Sequence, residues 1–199
     1  TLHGSVDFLR NGVTTAYNFT YPLALSPDEQ AKAMPHLKEW ILKQTQAKVD
    51  AGLRFVNSIR VWGLESDERS LENFSDQLSW LSSFTSHPLY LKTALSGAQQ
   101  WYPTDQIARL EAAVMKQHGL LNHTHLLETK EQLTEQQKKF SWYDQAGALG
   151  PQMIMGHFIH TDEKIVSRAA ETDTRMSWQP TSNGRLGDGI ADIIKYRKR

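Results

Sequence analysis

The amino-acid sequence predicts an α/β fold of the (β/α)8 TIM-barrel type, represented by an incomplete run of about six βα units. Short strand-sized apolar segments alternate with helical ones at roughly thirty-residue spacing, the rhythm of parallel βαβ units. The strand segments lean toward continuous apolar runs, as expected when helices cover both faces of a sheet. A doubly wound sheet shares this alternation, and six strands fall short of the eight that close a barrel in about 250 residues. No G-x-G-x-x-G or G-x-x-x-x-G-K-[ST] loop follows any early strand, which disfavours a doubly wound nucleotide binder.

Each element has a local reason. Residues 2–11 read as a helix whose own strand lies upstream. Residues 14–19 (TTAYNF) are β-branched and aromatic after Gly12, hence a strand. Ser26, Pro27 and Glu29 fall at the N-cap, N1 and N3 positions of a helix that runs to about Asp50 and stops near Gly52. Residues 53–62 form the next strand and 66–84 the next helix. A strand at 88–95 leads into a loop rich in Gln and aromatics. The helix from about Thr104 to His118 closes on Gly119, a good C′ residue. Residues 120–126 are a strand, followed by a polar helix to about Gln145 with Gly147 behind it. Residues 152–159 are a strand, and Thr161, Asp162 and Glu163 start a helix. Residues 174–180 are the last clear strand, and 190–199 read as a helix. No linker or low-complexity stretch interrupts the chain, so residues 1–199 read as one partial barrel domain, units two to seven of eight.

Composition narrows the function. The 22 Lys and Arg balance the 22 Asp and Glu, so no basic excess suggests nucleic acid or an anionic membrane as a partner. The longest apolar runs are strand-sized, and residues 1–10 lack a signal-peptide pattern, so a cytoplasmic location is expected. There is no Cys, which excludes disulfide and thiol chemistry and leaves His, Asp, Glu or water to hold any metal. Glycosylation sequons occur at Asn18, Asn73 and Asn122; two lie in or beside strands and read as chance.

Three constellations carry chemistry. In Asn122-His123-Thr124-His125-Leu126-Leu127-Glu128, strand alternation puts His123 and His125 on one face. His125 ends its strand, at the mouth where barrel active sites are built, with Glu128 just beyond. An imidazole ligand beside a proton-moving carboxylate is what a catalytic zinc site needs, although a hydrogen-bonded interior His pair would look the same. Gly156-His157-Phe158-Ile159-His160 also ends a strand; its two His cannot share a face, and His157 is the one expected at the mouth. The third, from Trp178 to Gly189, contains Pro180, Asn183 and three glycines, and reads as a βα loop able to bring backbone groups against a ligand.

Together and in this order, these motifs resemble the amidohydrolase superfamily, in the branch of chlorohydrolases, triazine hydrolases and nucleobase deaminases. Leu9-Arg10-Asn11-Gly12-Val13-Thr14-Thr15 is similar to that branch's L-x-x-G-x-T-T. His125-x-x-Glu128-Thr129 is similar to its H-x-x-E-T, Gly156 to His160 to its strand-six histidine motif, and Pro180-x-Ser182-Asn183-x-x-Leu186-Gly187-x-Gly189 to its P-x-S-N-x-x-L-G-x-G.

The resemblance implies hydrolysis of a C–N or C–halogen bond of a cyclic or heteroaromatic small molecule, with one divalent metal, zinc or iron. It makes His125 a metal ligand, Glu128 the group that shuttles a proton from water to the leaving nitrogen, and His157 the hydrogen-bonding partner of the attacking or newly formed oxygen. A bound metal lowers the pKa of its water from near 16 toward ~7. His123, Gln100, Trp101, Gln179 and Asn183 are candidates for substrate contact.

Two departures count against full activity. No H-x-H precedes the second barrel strand (His3 is followed by Gly4 and Ser5), and no strand-eight Asp is present, so metal is expected to be weakly held or absent in this segment, and the segment alone is expected to be inactive. Gln100-Trp101 and Gln179 stand where some relatives carry substrate-contacting His, which puts the usual purine substrates in doubt. A non-catalytic barrel scaffold is the rival reading. Lys92 on the fourth barrel strand could mark the two-metal branch, but an outward or salt-bridged Lys92 explains it better. A second copy of the chain, in a homodimer, is a further option as partner.

Overall fold

The computed structural model describes residues 1–19 and 32–197. The proposed helix start at Ser26, Pro27 and Glu29 lies outside them. The chain divides into two compact units, Thr1–Ser96 and Gly97–Arg199.

In the first unit, α1 (Leu2–Arg10) precedes β1 (Thr15–Phe19). A 3-10 turn at Met34–His36 leads into α2 (Leu37–Ala51), which ends on Gly52 at φ 82°, a left-handed cap that glycine adopts without steric cost. Then come β2 (Arg54–Ile59), α3 (Asp67–Leu81) and β3 (Tyr90–Gly97). Ser66 caps α3 by accepting a hydrogen bond from the Arg69 amide at 3.2 Å, and Asp67 and Glu68 suit the positive end of the helix dipole. The strands pair in parallel, Thr15 opposite Arg54 and Val56 opposite Lys92, with a register shift at Phe55/Val56. Strand β2 is shorter than the 53–62 expected; Arg60, Val61 and Trp62 leave the ladder while staying buried. Leu37, Ile41, Phe55, Ile59, Phe74 and Leu81 form the apolar interior.

A lysine lies inside that interior. Lys48 of α2 is fully buried; its ammonium donates to Asn18 Oδ1 of β1 at 2.7 Å and to Asn57 Oδ1 of β2, and stands 4.7 Å from the centre of the Phe55 ring. Burial pulls its pKa down from 10.5 to about 7. Lys92, by contrast, is exposed.

The second unit contains the 3-10 turn Gln99–Trp101, α4 (Gln106–His118), β4 (Asn122–Leu126), α5 (Leu133–Gln145), β5 (Met153–His157), α6 (Glu163–Glu171), β6 (Arg175–Ser177), α7 (Pro180–Leu186) and α8 (Ile193–Arg197). Strands β4, β5 and β6 pair in parallel, His125 opposite Gly156 and Gly156 opposite Ser177. Asp162 caps α6 through the Ile165 amide at 2.8 Å.

The expected loop after Ser177 is instead partly a helix. Pro180 supplies the fixed φ of a first helical turn, and Gly187 ends it at φ 75°, so the residues that looked like loop punctuation are the start and stop of α7. His125 is penultimate in β4; Leu126 closes the strand. No helix among the described residues is long and apolar enough to cross a membrane.

Candidate metal centre

The chemistry-bearing residues meet at the ends of β4 and β5, within the second unit. His125 Nδ1 lies 2.8 Å from His157 Nε2, which lies 3.3 Å from Glu128 Oε1. One ligand atom from each of the three falls within 4.8 Å of the others. Donor atoms held at about 2.0–2.2 Å around one ion are spaced on this scale, and imidazole with carboxylate is a donor set for zinc or iron. The residues present therefore fit a divalent metal.

Their protonation states suit ligation. Burial, reinforced by neighbouring imidazoles, lowers the pKa of His123 and of His125 to about 4, so both are neutral at pH 7 and keep a lone pair for a cation. Burial lowers that of His157 too, opposed by the Asp188 charge. Glu128 is pushed up, first by burial and then by the Asp188 charge, against a lowering hydrogen bond from Gln100. A carboxylate raised toward neutrality can both take and return a proton.

The backbone here is held in unusual conformations. Leu127 (φ 56°), His157 (φ 64°) and Phe158 (φ 50°) are all left-handed without being glycine, each at a cost of order 1 kcal/mol. Tertiary contacts hold them. The Phe158 amide donates to Leu126 O at 3.1 Å, and the Ile159 and His160 amides donate to Leu127 O at 2.9 and 3.0 Å. The Leu127 and Phe158 side chains are buried, and Tyr196 of α8 donates to Phe158 O at 2.9 Å. This reversal turns His157 toward His125, while His160 leaves the cluster and bonds through Nε2 to Asp188 O at 2.7 Å.

Beneath the histidines is a buried polar network. Glu111 of α4 is fully buried and accepts from the Ala98 amide (2.7 Å), Asn122 Nδ2 (2.8 Å) and Tyr143 Oη (2.7 Å), and Tyr143 also reaches Thr124 Oγ1 at 3.1 Å. These contacts tie β4, α5 and the turn before Gln99 to one carboxylate. Two glycines keep the packing this close. A Cβ on Gly97 would overlap the Thr124 side chain, and one on Gly156 would sit 2.9 Å from His123 Nε2 and 3.0 Å from Thr124 O.

The remaining candidates divide by position. The ring of His123 stacks parallel on that of His125, 6.2 Å between centres, and its Nε2 is 3.4 Å from Gln179 Nε2. Trp101 lies 5.8 Å from the His125 ring, and Gln100 bonds Glu128 through its side chain. These four surround the cluster. Asn183, only 1 % exposed, is packed against the other nitrogen of His157, with Nδ2 at 2.7 Å from Nδ1 and 3.2 Å from Asp188 Oδ2. Asp188 and Glu111 escaped sequence reading: Asp188 is an unassigned position within the Trp178 to Gly189 segment and Glu111 a lone acid on an ordinary helix, and only folding links them to the histidine-bearing strands.

No family model matches the chain. It is 22% identical to 5'-deoxyadenosine deaminase of Methanothermobacter thermautotrophicus over 206 residues, which is 100% of this chain and 44% of that protein. Its fold is similar to that of guanine deaminase from C. acetobutylicum with bound guanine (TM-score 0.75, 16% identity, 98% of this chain and 46% of the other). It is also similar in fold to atrazine chlorohydrolase from Arthrobacter aurescens complexed with zinc (TM-score 0.72, 15% identity, 99% of this chain and 46% of the other). The chain spans less than half the length of each. The expected run of βα units of barrel type is borne out. The chain is thus similar in sequence to a deaminase and in fold to a deaminase and a triazine chlorohydrolase, in keeping with the amidohydrolase resemblance that its motifs carry.

Proposed function

We propose that this chain carries part of the active site of a metal-dependent hydrolase that cleaves a C–N or C–halogen bond of a cyclic or heteroaromatic small molecule. The convergence of His125, Glu128 and His157 on one point carries the reading. The relatives support the substrate class, being named as deaminases of purine compounds and a triazine chlorohydrolase. Zinc rather than iron as the metal, a cytoplasmic location and no nucleic-acid partner belong to the same proposal.

In this reading His125 holds the metal, which when bound supplies the Lewis acidity that makes water a nucleophile at neutral pH. Glu128 takes a proton from the attacking water, whose oxygen bonds to the ring carbon. Glu128 then returns the proton to the departing nitrogen as the C–N bond breaks, so that ammonia or amine leaves. For a halide leaving group the proton passes to solvent. His157 donates a hydrogen bond to the oxygen on which charge develops. Trp101 offers an aromatic face beside His125, and Gln179 and His123 offer polar contacts for ring heteroatoms.

The test is product release from purine and s-triazine substrates by the zinc-loaded full-length protein that carries this chain, with metal content measured in parallel. Glu128→Gln should lose on the order of a hundredfold or more in kcat while keeping its metal, and His125→Ala should lower metal content. Turnover unchanged in both variants overturns the proposal.

A further inference from the structure

We infer that Asn183, held by Asp188, is a positioning residue that fixes the tautomer of His157 with its proton on Nε2. This deepens the reading of the metal centre and rests on it only for the catalytic meaning of that proton.

The side-chain amide of Asn183 is buried between two partners. Nδ2 lies 2.7 Å from His157 Nδ1 and 3.2 Å from Asp188 Oδ2, while Oδ1 has no hydrogen-bond partner among the described residues. Exchanging the two ends of the amide would leave a buried polar atom without a partner just the same, so satisfaction of the amide does not choose between them. The carboxylate does. Exchange would set Oδ1 against Asp188 Oδ2, two oxygens carrying negative charge with no proton between them, in place of a charge-assisted N–H···O bond. Asp188 therefore turns the NH2 toward itself and toward the imidazole together.

An NH2 group only donates, so His157 Nδ1 must accept, and the proton of the neutral ring sits on Nε2. Nε2 is the nitrogen facing His125 and Glu128. His157 thus presents a donor to the centre, and proton acceptance there falls to Glu128.

Asp188 is itself held in place. Its amide donates to Asn183 O at 3.0 Å, and its carbonyl oxygen bonds His160 Nε2 at 2.7 Å. The second histidine of the Gly156 to His160 segment, which faces away from the centre, thereby steadies the residue that orients the first.

The experiment is nitrogen-detected NMR of the chain labelled with 15N-histidine, with the His157 ring identified by its disappearance in His157→Gln. The expected spectrum has a pyridine-like Nδ1 and a pyrrole-like Nε2. Asn183→Asp, which replaces the donor by an acceptor, should make Nδ1 pyrrole-like, and Asp188→Asn should give a mixture. A wild-type ring protonated on Nδ1, or a pattern unmoved in both variants, overturns the inference. If neither variant folds, the wild-type spectrum alone decides. Absence of turnover in the full-length protein that carries this chain would defeat the proposed function and leave the tautomer result standing.

Discussion

Raising the pH from 7 to 9.5 should stabilise this protein, and Lys48 is the reason. Its amine is buried, bonded to Asn18 and Asn57, with a pKa lowered by burial from 10.5 to about 7. Between those values the unfolded chain binds a proton that the folded chain has released, so unfolding free energy rises with pH. At about 1.4 kcal/mol per pH unit, the whole interval is worth about 5 kcal/mol and the span from pH 7 to 9.5 about 3 kcal/mol. Below pH 7 the lysine is charged in both states and the cost of burying it is fully present. The window stops at 9.5 because Tyr90 and Tyr143, both raised by burial, work in the opposite direction once unfolded tyrosines ionise near pH 10. The assay is urea unfolding or thermal melting of the metal-free chain in half-unit pH steps, where 3 kcal/mol corresponds to roughly 6–12 °C in Tm. Lys48→Met should abolish the slope, whatever it does to stability at one pH. A wild-type protein whose stability is flat or falls over this window, or a Lys48→Met protein with the same slope, refutes the assignment of a buried amine that releases its proton near neutrality.

Other outcomes follow from the second unit. His123, lowered to about 4, takes up its proton on unfolding between pH 6.5 and 4, so acid should remove up to about 3 kcal/mol as pH falls through that range, an effect that His123→Gln should remove from the urea-unfolding profile. Glu111→Gln leaves three buried donors facing a single carbonyl oxygen and should cost about 2–4 kcal/mol in unfolding free energy. Gly156→Ala forces a methyl to 2.9 Å from His123 Nε2; it should cost about 1–3 kcal/mol in thermal melts and shift the ring resonances of His123 before those of residues in the first unit. The isolated chain, whose cluster of candidate ligands among the described residues has three members, should hold zinc weakly enough for dialysis against a mild chelator to strip it; a tightly retained ion after dialysis refutes this.

The order of strands and helices was legible because periodicity, caps and glycines are local properties. Gly52 and Gly119 end helices through their own backbone freedom, and Asp162 caps α6 within its own turn. The H-x-H alternation of β4 put His123 and His125 on one face for the same reason, and the rings do stack. Pro180 and Gly187 misled because the residues that open and close a short helix also punctuate loops.

What no local pattern could supply is the reversal at His157 and Phe158, two residues that avoid left-handed conformations when left to themselves and adopt them only because Leu126, Leu127 and Tyr196 from other elements hold their backbone. Nor could it reveal the carboxylate of Glu111, whose partners lie on other segments, the link that Asn183 makes from Asp188 to His157, or the lysine that binds β1 and β2 to α2. The sequence by itself determined which elements form and which residue types carry chemistry, since both depend on near neighbours. Tertiary structure alone decided which nitrogen faces which, because burial, charge proximity and backbone strain exist only once distant segments share the same few ångströms.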